Sequence, residues 1–176
     1  PQRALAPGDS VQLAFRWSLA IPKRGAGGRM GYDENLFFLA YWYPHVAVYD
    51  DVIGWFTDPF LSRAEFYHGF ADYQLTLDAP AGWLAMATGL LENSEEVLAP
   101  NVLARMRQAY ASDTPVRIAE PTTDPVTQSG AEGRLQWRFR ATNVRDVAFS
   151  LVRQAYWEGA RTPVGDRDGD GQTDYT

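Results

Sequence analysis

Cysteine is missing from this chain of 176 residues. Without a thiol, the chain can form no disulfide, supply no thiolate ligand to zinc and use no cysteine nucleophile. Histidine is scarce as well, because His45 and His68 are the only two and lie far apart in sequence. The zinc motif H-E-x-x-H, which needs two histidines four positions apart on a helix, is therefore absent. We predict that this chain alone holds no hydrolytic zinc ion.

Acidic residues outnumber basic residues, 22 to 16, and the formal net charge is −6. This balance disfavours binding to nucleic acid, which needs Lys and Arg to displace counterions from phosphate, and it disfavours anionic membrane surfaces. No apolar run approaches the ~18 residues of a membrane span. The nucleophile motif G-x-S-x-G is absent, and residues 25–31 lack the spacing and the following helix of a phosphate loop.

Hydrophobic residues make up 45% of the chain and aromatic residues 14%, which is enough to bury a sizeable core. The length suits one domain, or one domain with a tail. The first nine residues do not resemble a signal peptide. Because the chain starts at Pro1 and stops within an acidic motif, we expect both ends to be cuts in a longer protein.

Short patterns typical of strands recur along the chain. Residues 10–20 alternate between apolar and polar positions, which predicts a half-buried strand. Residues 36–43 are continuously hydrophobic, which predicts a strand buried on both faces. Residues 22–31 and 50–62 are predicted loops, and we expect the aromatic side chains of the second loop to pack inward. Further strands are predicted at 65–77 with a bulge near Gly69, 83–91, 116–119, 134–141 and 147–152.

One helix is predicted, at residues 100–110. Pro100 suits a first helical turn, and apolar residues follow on one face at helical spacing. Many short strands with a single helix near residues 100–111 predict a mainly β fold, as an antiparallel β-sandwich or a curved sheet.

An acidic segment lies close to the C-terminal end. Its carboxylates stand at positions one, three and five of a calcium loop, a glycine stands at position six, and position nine can bind through water. The candidate calcium ligands are Asp166, Asp168, Asp170, Gln172 and Asp174. The twelfth position, normally a bidentate Glu, falls beyond Thr176, and no flanking helices are evident. The alternative is a solvated acidic turn without metal.

Two other groups of residues invite a functional interpretation. Acidic pairs at 33–34, 50–51 and 95–96 are candidates for acid and base catalysis, or ordinary solvated loop residues. A dense set of aromatic residues at 37–56 could bind sugars or peptides, or could form core and interface.

An ordered series of short stretches gives the chain a family resemblance. It comprises 38–51 (FLAYWYPHVAVYDD), Gly54-Trp55, Glu65-Phe66-Tyr67, Asp72-Tyr73, the turn at Pro80, Ala87-Thr88-Gly89, Asn93 and 143–146 (NVRD). In this order and spacing the set resembles bacterial members of the aminopeptidase N-like zinc metallopeptidases, over roughly residues 7–174.

The resemblance implies that residues 1–165 form the family's non-catalytic N-terminal domain, a curved, saddle-like β structure beside a thermolysin-like catalytic domain. Residues 166–176 would then be a calcium-loop-like segment leading to that catalytic domain, which carries H-E-x-x-H and holds the zinc. The implied partners are the catalytic domain of the same polypeptide and a peptide substrate. Relatives of this type are often exported from the cell.

The resemblance also places residues 41–43 near the substrate cleft, and Tyr41, Trp42 and Tyr43 are the candidates there. Many relatives have Gln where this chain has Tyr41, whose hydroxyl could still form a hydrogen bond.

Two alternatives remain open. One is a calcium-dependent β-sandwich module that binds carbohydrate or a cell surface, using the same Asp segment and aromatic residues. The other is an independent hydrolase that uses its carboxylates.

Overall fold

The computed structural model describes residues 4–23, 28–59, 67–121 and 124–176. Strands dominate its regular structure. The strands are β1 Met30–Tyr32, β2 Leu36–Leu39, β3 Tyr49–Asp50, β4 Gly54–Trp55, β5 Ala71–Pro80, β6 Leu84–Ala87, β7 Leu90–Leu91, β8 Val116–Ala119, β9 Arg134–Val144, β10 Phe149–Val152, β11 Trp157–Gly159, β12 Pro163–Gly165 and β13 Asp174–Tyr175. The helices in the described ranges are α1 Ser94–Val97 and α2 Pro100–Tyr110.

The strands form antiparallel sheets. One sheet has four strands in the order β1-β2-β10-β6, and a second has three in the order β5-β9-β7. Three two-stranded sheets pair β11 with β8, β12 with β13 and β3 with β4. The predicted mainly β, antiparallel fold is confirmed.

The longest strand pairing joins β5 to β9. The alternation of apolar and polar residues along β9 explains why one face of this sheet is buried. Leu135, Trp137 and Phe139 point to one face of β9 and are buried, whereas the residues between them are exposed. Leu77 on β5 lies opposite Trp137 in the register. A strand with one buried face and one solvated face has this period of two. The β5–β9 sheet therefore supplies one wall of the core.

Helix α2 supplies another wall, and its prediction is confirmed. Pro100 occupies the first turn, where its missing N–H costs nothing. Val102, Met106 and Ala109 are buried at helical spacing and belong to the same core as Ile118 of β8. Helix α1 was not predicted, because four residues are too few to show a helical period.

The prediction for residues 10–20 was wrong. No strand forms there, and the backbone makes no backbone hydrogen bond within the described part of the chain. The apolar side chains from Val11 to Leu19 are between 43% and 60% exposed. Alternation identifies an apolar face but does not provide the neighbouring strand that must cover it.

Two predicted strands are shorter than expected. The strand predicted at 36–43 ends at Leu39, its only fully buried residue, and Tyr41 follows with a left-handed φ of 54°. That conformation does not continue a strand. The strand predicted at 83–91 is divided into β6 and β7, because Gly89 also has a positive φ, of 97°.

The predicted loop at 50–62 contains the hairpin β3–β4. Trp55 does not pack inward as expected, since it meets Tyr49 edge to face and both stay exposed, whereas Phe56 is half-buried and meets Tyr67 edge to face. In the strand predicted at 65–77, β5 begins only at Ala71, and the irregular register lies between Ala71 and Tyr73 rather than at Gly69.

Some predicted features lie outside the described residues. They are residues 24–27 of one loop, 60–62 of the other, and Glu65 and Phe66 of the strand. Among the helices in the described ranges, neither is long and apolar enough to cross a membrane.

Candidate functional site

The segment that follows β2 contains the predicted cleft residues, and Trp42 fixes it in place. Its indole Nε1 donates a hydrogen bond of 2.8 Å to the carbonyl oxygen of Val147, in the connection between β9 and β10. Its ring meets Phe149 of β10 edge to face, with centroids 5.2 Å apart. Trp42 is therefore a structural anchor, half-buried between the segment and the sheet.

Tyr41 is half-buried and lies beside the guanidinium group of Arg29. Its hydroxyl accepts a hydrogen bond of 2.7 Å from Arg29 Nη1. Its ring approaches the imidazole of His68 edge-on, with centroids 5.6 Å apart. The left-handed backbone of Tyr41 is sterically costly for a non-glycine residue, and these two contacts help to hold it.

The structure brings the two histidines together. The rings of His45 and His68 stack with centroids 4.5 Å apart and planes only 10° from parallel. His45 Nε2 lies 3.4 Å from Oδ1 of Asp146. His45 is exposed and His68 is half-buried. The sequence alone suggested surface or strand-edge histidines and gave no reason to expect the two in contact.

Tyr43 completes the group. Its ring lies on His45 at 4.2 Å and meets Tyr73 at 6.0 Å. Its buried hydroxyl lies near Tyr73 and Asp146 but forms no hydrogen bond of good geometry within the described residues. We call the set Tyr41, Tyr43, His45, His68, Tyr73 and Asp146 the histidine cluster.

The environment of the histidine cluster determines its protonation. Burial, together with Tyr73 and Asp146, raises the pKa of Tyr43, so its hydroxyl remains neutral and can only donate or accept a hydrogen bond. Burial and the adjacent His68 lower the pKa of His45, against the opposing effect of Asp146. His45 is therefore mainly neutral near pH 7 and can accept a proton.

The acidic segment forms the loop of the β12–β13 hairpin. Asp166 accepts hydrogen bonds from the backbone N–H groups of Gly169 and Gly171, at 2.7 and 3.0 Å. Asp174 accepts one from the backbone of Arg167, at 2.8 Å. These bonds turn the chain back on itself, with the glycines in left-handed conformations that other residues avoid.

Three of the predicted calcium ligands come together. Carboxylate oxygens of Asp166, Asp168 and Asp174 lie within 4.8 Å of one another. Two oxygens on opposite sides of a Ca²⁺ ion are separated by about 5 Å, so the group fits a hard cation of this size. Asp170 and Gln172 do not join it, because Asp170 accepts hydrogen bonds from the backbone and the side chain of Gln172.

No comparable group of ligands suited to zinc occurs among the described residues. Within the described residues, the three aspartates are the group that brings three potential ligand atoms this close, and it contains no histidine. The nearly parallel imidazoles of His45 and His68 direct their lone pairs along separate planes, so the pair does not form a chelate as it stands.

At least one carboxylate of each acidic pair makes a local contact. Asp33 accepts a hydrogen bond of 3.0 Å from the backbone N–H of Asn35. Asp50 caps the turn of its hairpin, accepting from the backbone of residues 52 and 53. Glu95 pairs with Arg107, and Glu96 pairs with Arg138 at 2.6 Å. Each of these carboxylates therefore has its own partner on the surface.

Two grooves of the described surface differ in their relation to the predicted site residues. One groove, of about 620 Å³, borders the N-terminus of α2 and contains none of the predicted site residues. A shallower groove of about 420 Å³ lies on the four-stranded sheet, between Arg29, Phe38 and Phe149. Because Arg29 also donates to Tyr41, this groove adjoins the histidine cluster.

Sequence reasoning missed His45, His68 and Asp146 as a group. Each follows a different strand or loop, and no spacing rule connects them. The only available signal was that both histidines stand near aromatic residues, Tyr43 and Tyr67.

Comparisons with protein families, curated proteins and solved structures find no match to this chain.

Proposed function

We propose that this chain is the non-catalytic N-terminal domain of a zinc metallo-aminopeptidase, which packs on the catalytic domain of the same polypeptide and helps to shape the peptide-substrate cleft. The parent enzyme would hold zinc through residues that this chain lacks. The proposal starts from the ordered resemblance of residues 7–174, and one structural observation supports it.

That observation is a concentration of exposed apolar side chains in the first third of the chain. Large hydrophobic residues that an isolated domain would bury remain exposed there. They are Leu5, Val11, Leu13, Phe15, Trp17, Leu19, Tyr32, Val46, Tyr49, Val52, Ile53 and Trp55.

The later part of the chain differs. Every member of the main core cluster lies between Leu77 and Phe139. Exposed apolar side chains concentrated in one part of a chain are what an interaction site would present to a partner. A neighbouring domain that covers residues 5–55 would bury this surface, and Tyr41 and Tyr43 would then lie close to the junction.

The proposal requires a downstream catalytic domain, so the gene is the first test. We expect it to encode H-E-x-x-H with a further Glu beyond Thr176, and we expect the complete polypeptide to release N-terminal amino acids in a chelator-sensitive reaction. This chain alone should have no such activity. A gene without the motif, or chelator-sensitive aminopeptidase activity of the purified chain alone, would overturn the proposal.

The interface itself can be tested in the complete polypeptide. Phe15→Ser, in the exposed apolar segment, should loosen the packing of the two domains and increase proteolytic cleavage between them. Tyr110→Ser is the matched control, because Tyr110 is 62% exposed at the end of α2, outside the proposed interface. Equal cleavage of the two variants would contradict the proposed packing.

The convergence of Asp166, Asp168 and Asp174 favours a second candidate, a calcium-dependent β-sandwich module that binds carbohydrate or a cell surface. Hard carboxylate oxygens held close together suit Ca²⁺, which would neutralise their mutual repulsion and stiffen the hairpin. The same ion is also compatible with the first candidate, in which the acidic segment leads towards the catalytic domain.

Calorimetry on the complete polypeptide tests the calcium ion. We expect Ca²⁺ binding that Asp168→Asn weakens and that Asp51→Asn, at an exposed aspartate in another hairpin, leaves unchanged. A glycan array distinguishes the two functions, since strong calcium-dependent binding would favour the module over the peptidase domain. If the complete polypeptide binds no calcium, neither candidate function involves a calcium ion.

Export from the cell is part of the first proposal. Relatives of the type that the sequence resembles are often exported, and a calcium loop suits a calcium-rich exterior. Fractionation of cells that produce the complete polypeptide tests this, and recovery only from the cytosol would contradict it.

A further inference from the structure

Residues 10–20 run without a turn or bend, and their backbone has no partner strand. Within the described part of the chain, none of their N–H or C=O groups takes part in a hydrogen bond or a β-bridge. Every residue of the segment is exposed. The segment therefore presents free backbone edges, and a free edge of this kind is a template for pairing with another strand.

Contacts on both sides hold this segment in place. A turn at residues 6–9 precedes it and is closed by a backbone hydrogen bond of 3.0 Å. Within it, Trp17 Nε1 donates a hydrogen bond of 3.2 Å to the carbonyl oxygen of Trp42. After it, Lys23 forms a parallel bridge with Tyr32 of β1. A segment that is already held in position loses less conformational freedom when it pairs.

The sequence of the segment is complementary to itself in the antiparallel direction. Its large apolar side chains occupy alternate, odd-numbered positions, and they are Val11, Leu13, Phe15, Trp17 and Leu19. When two copies pair with Phe15 opposite Phe15, every odd position meets another odd position. Val11 then lies opposite Leu19, and Leu13 lies opposite Trp17. Both apolar sets share one face of the resulting ribbon, where cross-strand pairs of aromatic and aliphatic side chains stabilise the pairing.

The charge pattern fits the same register. Arg16 is the only charged residue in the segment. With Phe15 at the centre, Arg16 lies opposite Ala14, so no two charged side chains of the segment face each other directly. Like charges in directly opposite positions would destabilise a pair of strands. This register also pairs all of residues 10–20 without an overhang, because Phe15 is their midpoint.

We propose that residues 10–20 form an interface with a second copy of this chain, as an antiparallel two-stranded ribbon whose two-fold axis passes through Phe15. The interface is isologous, because both copies contribute the same residues. It is independent of the proposed packing on a catalytic domain, since pairing uses one backbone edge of the segment and leaves the shared apolar face available to a neighbouring domain.

Disulfide cross-linking tests the register, and the absence of cysteine from the natural chain makes each introduced thiol unique. Phe15→Cys places the thiol opposite its own copy, at a Cα separation of about 5 Å that a disulfide can span. We expect this variant to form a covalent dimer under mild oxidation. Val11→Cys is the matched control on the same face, since Val11 is 49% exposed and Phe15 60%. The two Val11 positions lie eight residues apart along the ribbon, about 27 Å, so this variant should not cross-link to itself.

A mixture of two variants tests the same register with Phe15 retained. Chains that carry Val11→Cys should cross-link to chains that carry Leu19→Cys, because these positions are opposite each other. Cross-linking of Val11→Cys to itself as strong as that of Phe15→Cys, which random contact between apolar segments would produce, would overturn the proposal. Absence of a cross-link both in Phe15→Cys and in the mixture would also overturn it.

Charge variants at Ala14 test the pairing without a thiol. Ala14→Glu places a carboxylate opposite Arg16 of the second copy, whereas Ala14→Arg places a like charge there. We expect the dissociation constant of the dimer, measured by analytical ultracentrifugation, to be about tenfold lower for Ala14→Glu than for Ala14→Arg. Circular dichroism spectra equal to that of the natural chain show that both variants are folded. Equal dissociation constants, or a natural chain that remains monomeric at every measurable concentration, would contradict the interface.

Discussion

Gly89 lies against the main chain of Arg140, so closely that a Cβ atom on Gly89 would be 2.3 Å from the Arg140 carbonyl oxygen. Gly89 separates β6 from β7 and has a φ of 97°, a left-handed conformation. The chain can therefore leave the four-stranded sheet and join β9 only because this residue has no side chain.

We predict that Gly89→Ala lowers the free energy of unfolding by more than about 2 kcal/mol, because the new methyl group adds backbone strain and a clash with a carbonyl that cannot move. Gly82→Ala is the matched control. Gly82 also has a positive φ, but a Cβ there meets nothing within 4 Å, so strain alone should cost about 1 kcal/mol. Urea denaturation followed by circular dichroism measures both, and equal costs would show that the close approach to Arg140 is unimportant.

Trp137 is the largest fully buried side chain and is only 1% exposed. Trp137→Ala should lower the free energy of unfolding by about 3–5 kcal/mol, because it leaves a large cavity in the core. Trp137→Phe should cost less, since the buried indole N–H has no hydrogen-bond partner within the described residues and its loss breaks no bond. Trp55→Ala, at a Trp that is 60% exposed, is the control and should cost less than about 1 kcal/mol. Similar midpoints for the two alanine variants in urea would contradict this.

Asn93 connects α1 to the central strand β9. Its side-chain amide donates a hydrogen bond of 2.8 Å to the carbonyl oxygen of Gln136. It also accepts a hydrogen bond of 2.9 Å from the backbone N–H of Arg138. We predict that Asn93→Ala lowers the free energy of unfolding by about 2–3 kcal/mol, because it leaves two partly buried backbone groups of β9 without this partner. Asn101→Ala, at an exposed asparagine of α2, should change it by less than about 0.5 kcal/mol. Thermal unfolding compares the two, and a cost at Asn93 no larger than at Asn101 would be inconsistent with its role.

Glu96 accepts hydrogen bonds from Arg138 and Asn93, and these interactions hold its pKa below the ordinary value. Because the folded-state pKa is the lower one, the pair contributes stability above the ordinary pKa of Glu and loses it as the pH falls through the lowered value. We predict that Arg138→Gln raises the pKa of Glu96 in a carboxylate titration by nuclear magnetic resonance. The pKa of Asp113, lowered separately by Arg161, should not change. Both groups are fully exposed, so high salt should weaken the effect in each. An unchanged Glu96 pKa in the variant would show that the ion pair is not maintained in solution.

Local sequence patterns predicted those parts of the fold in which one face of an element meets the core. Helix α2 and the alternating strand β9 are of this kind, because the periodicity of their own residues states which side is buried. Residues 10–20 alternate just as clearly and form no strand. Pairing partners come from distant segments, and the sequence of a segment does not contain them.

The candidate site was less accessible to prediction for the same reason. The aspartates of the hairpin loop are close in sequence, so their convergence could be expected from spacing alone. The contact between His45 and His68 depends on where three loops end, and loops have no period to interpret. Tyr41 adds a further obstacle, because its left-handed backbone redirects the chain at a residue type that rarely adopts this conformation.

The β5–β9 pairing also bears on how the chain reaches its native state. Pro80 lies opposite Arg134 and Ala71 opposite Val144, so both helices and β8 are contained in the loop that this pairing closes. Bringing β5 and β9 together costs the entropy of closing this long loop before the two strands gain any contact. The contacts of α2 are local, so its formation has no such entropic cost. A topology with such high contact order should fold in milliseconds to seconds, with the helix formed before the sheet on which the core depends.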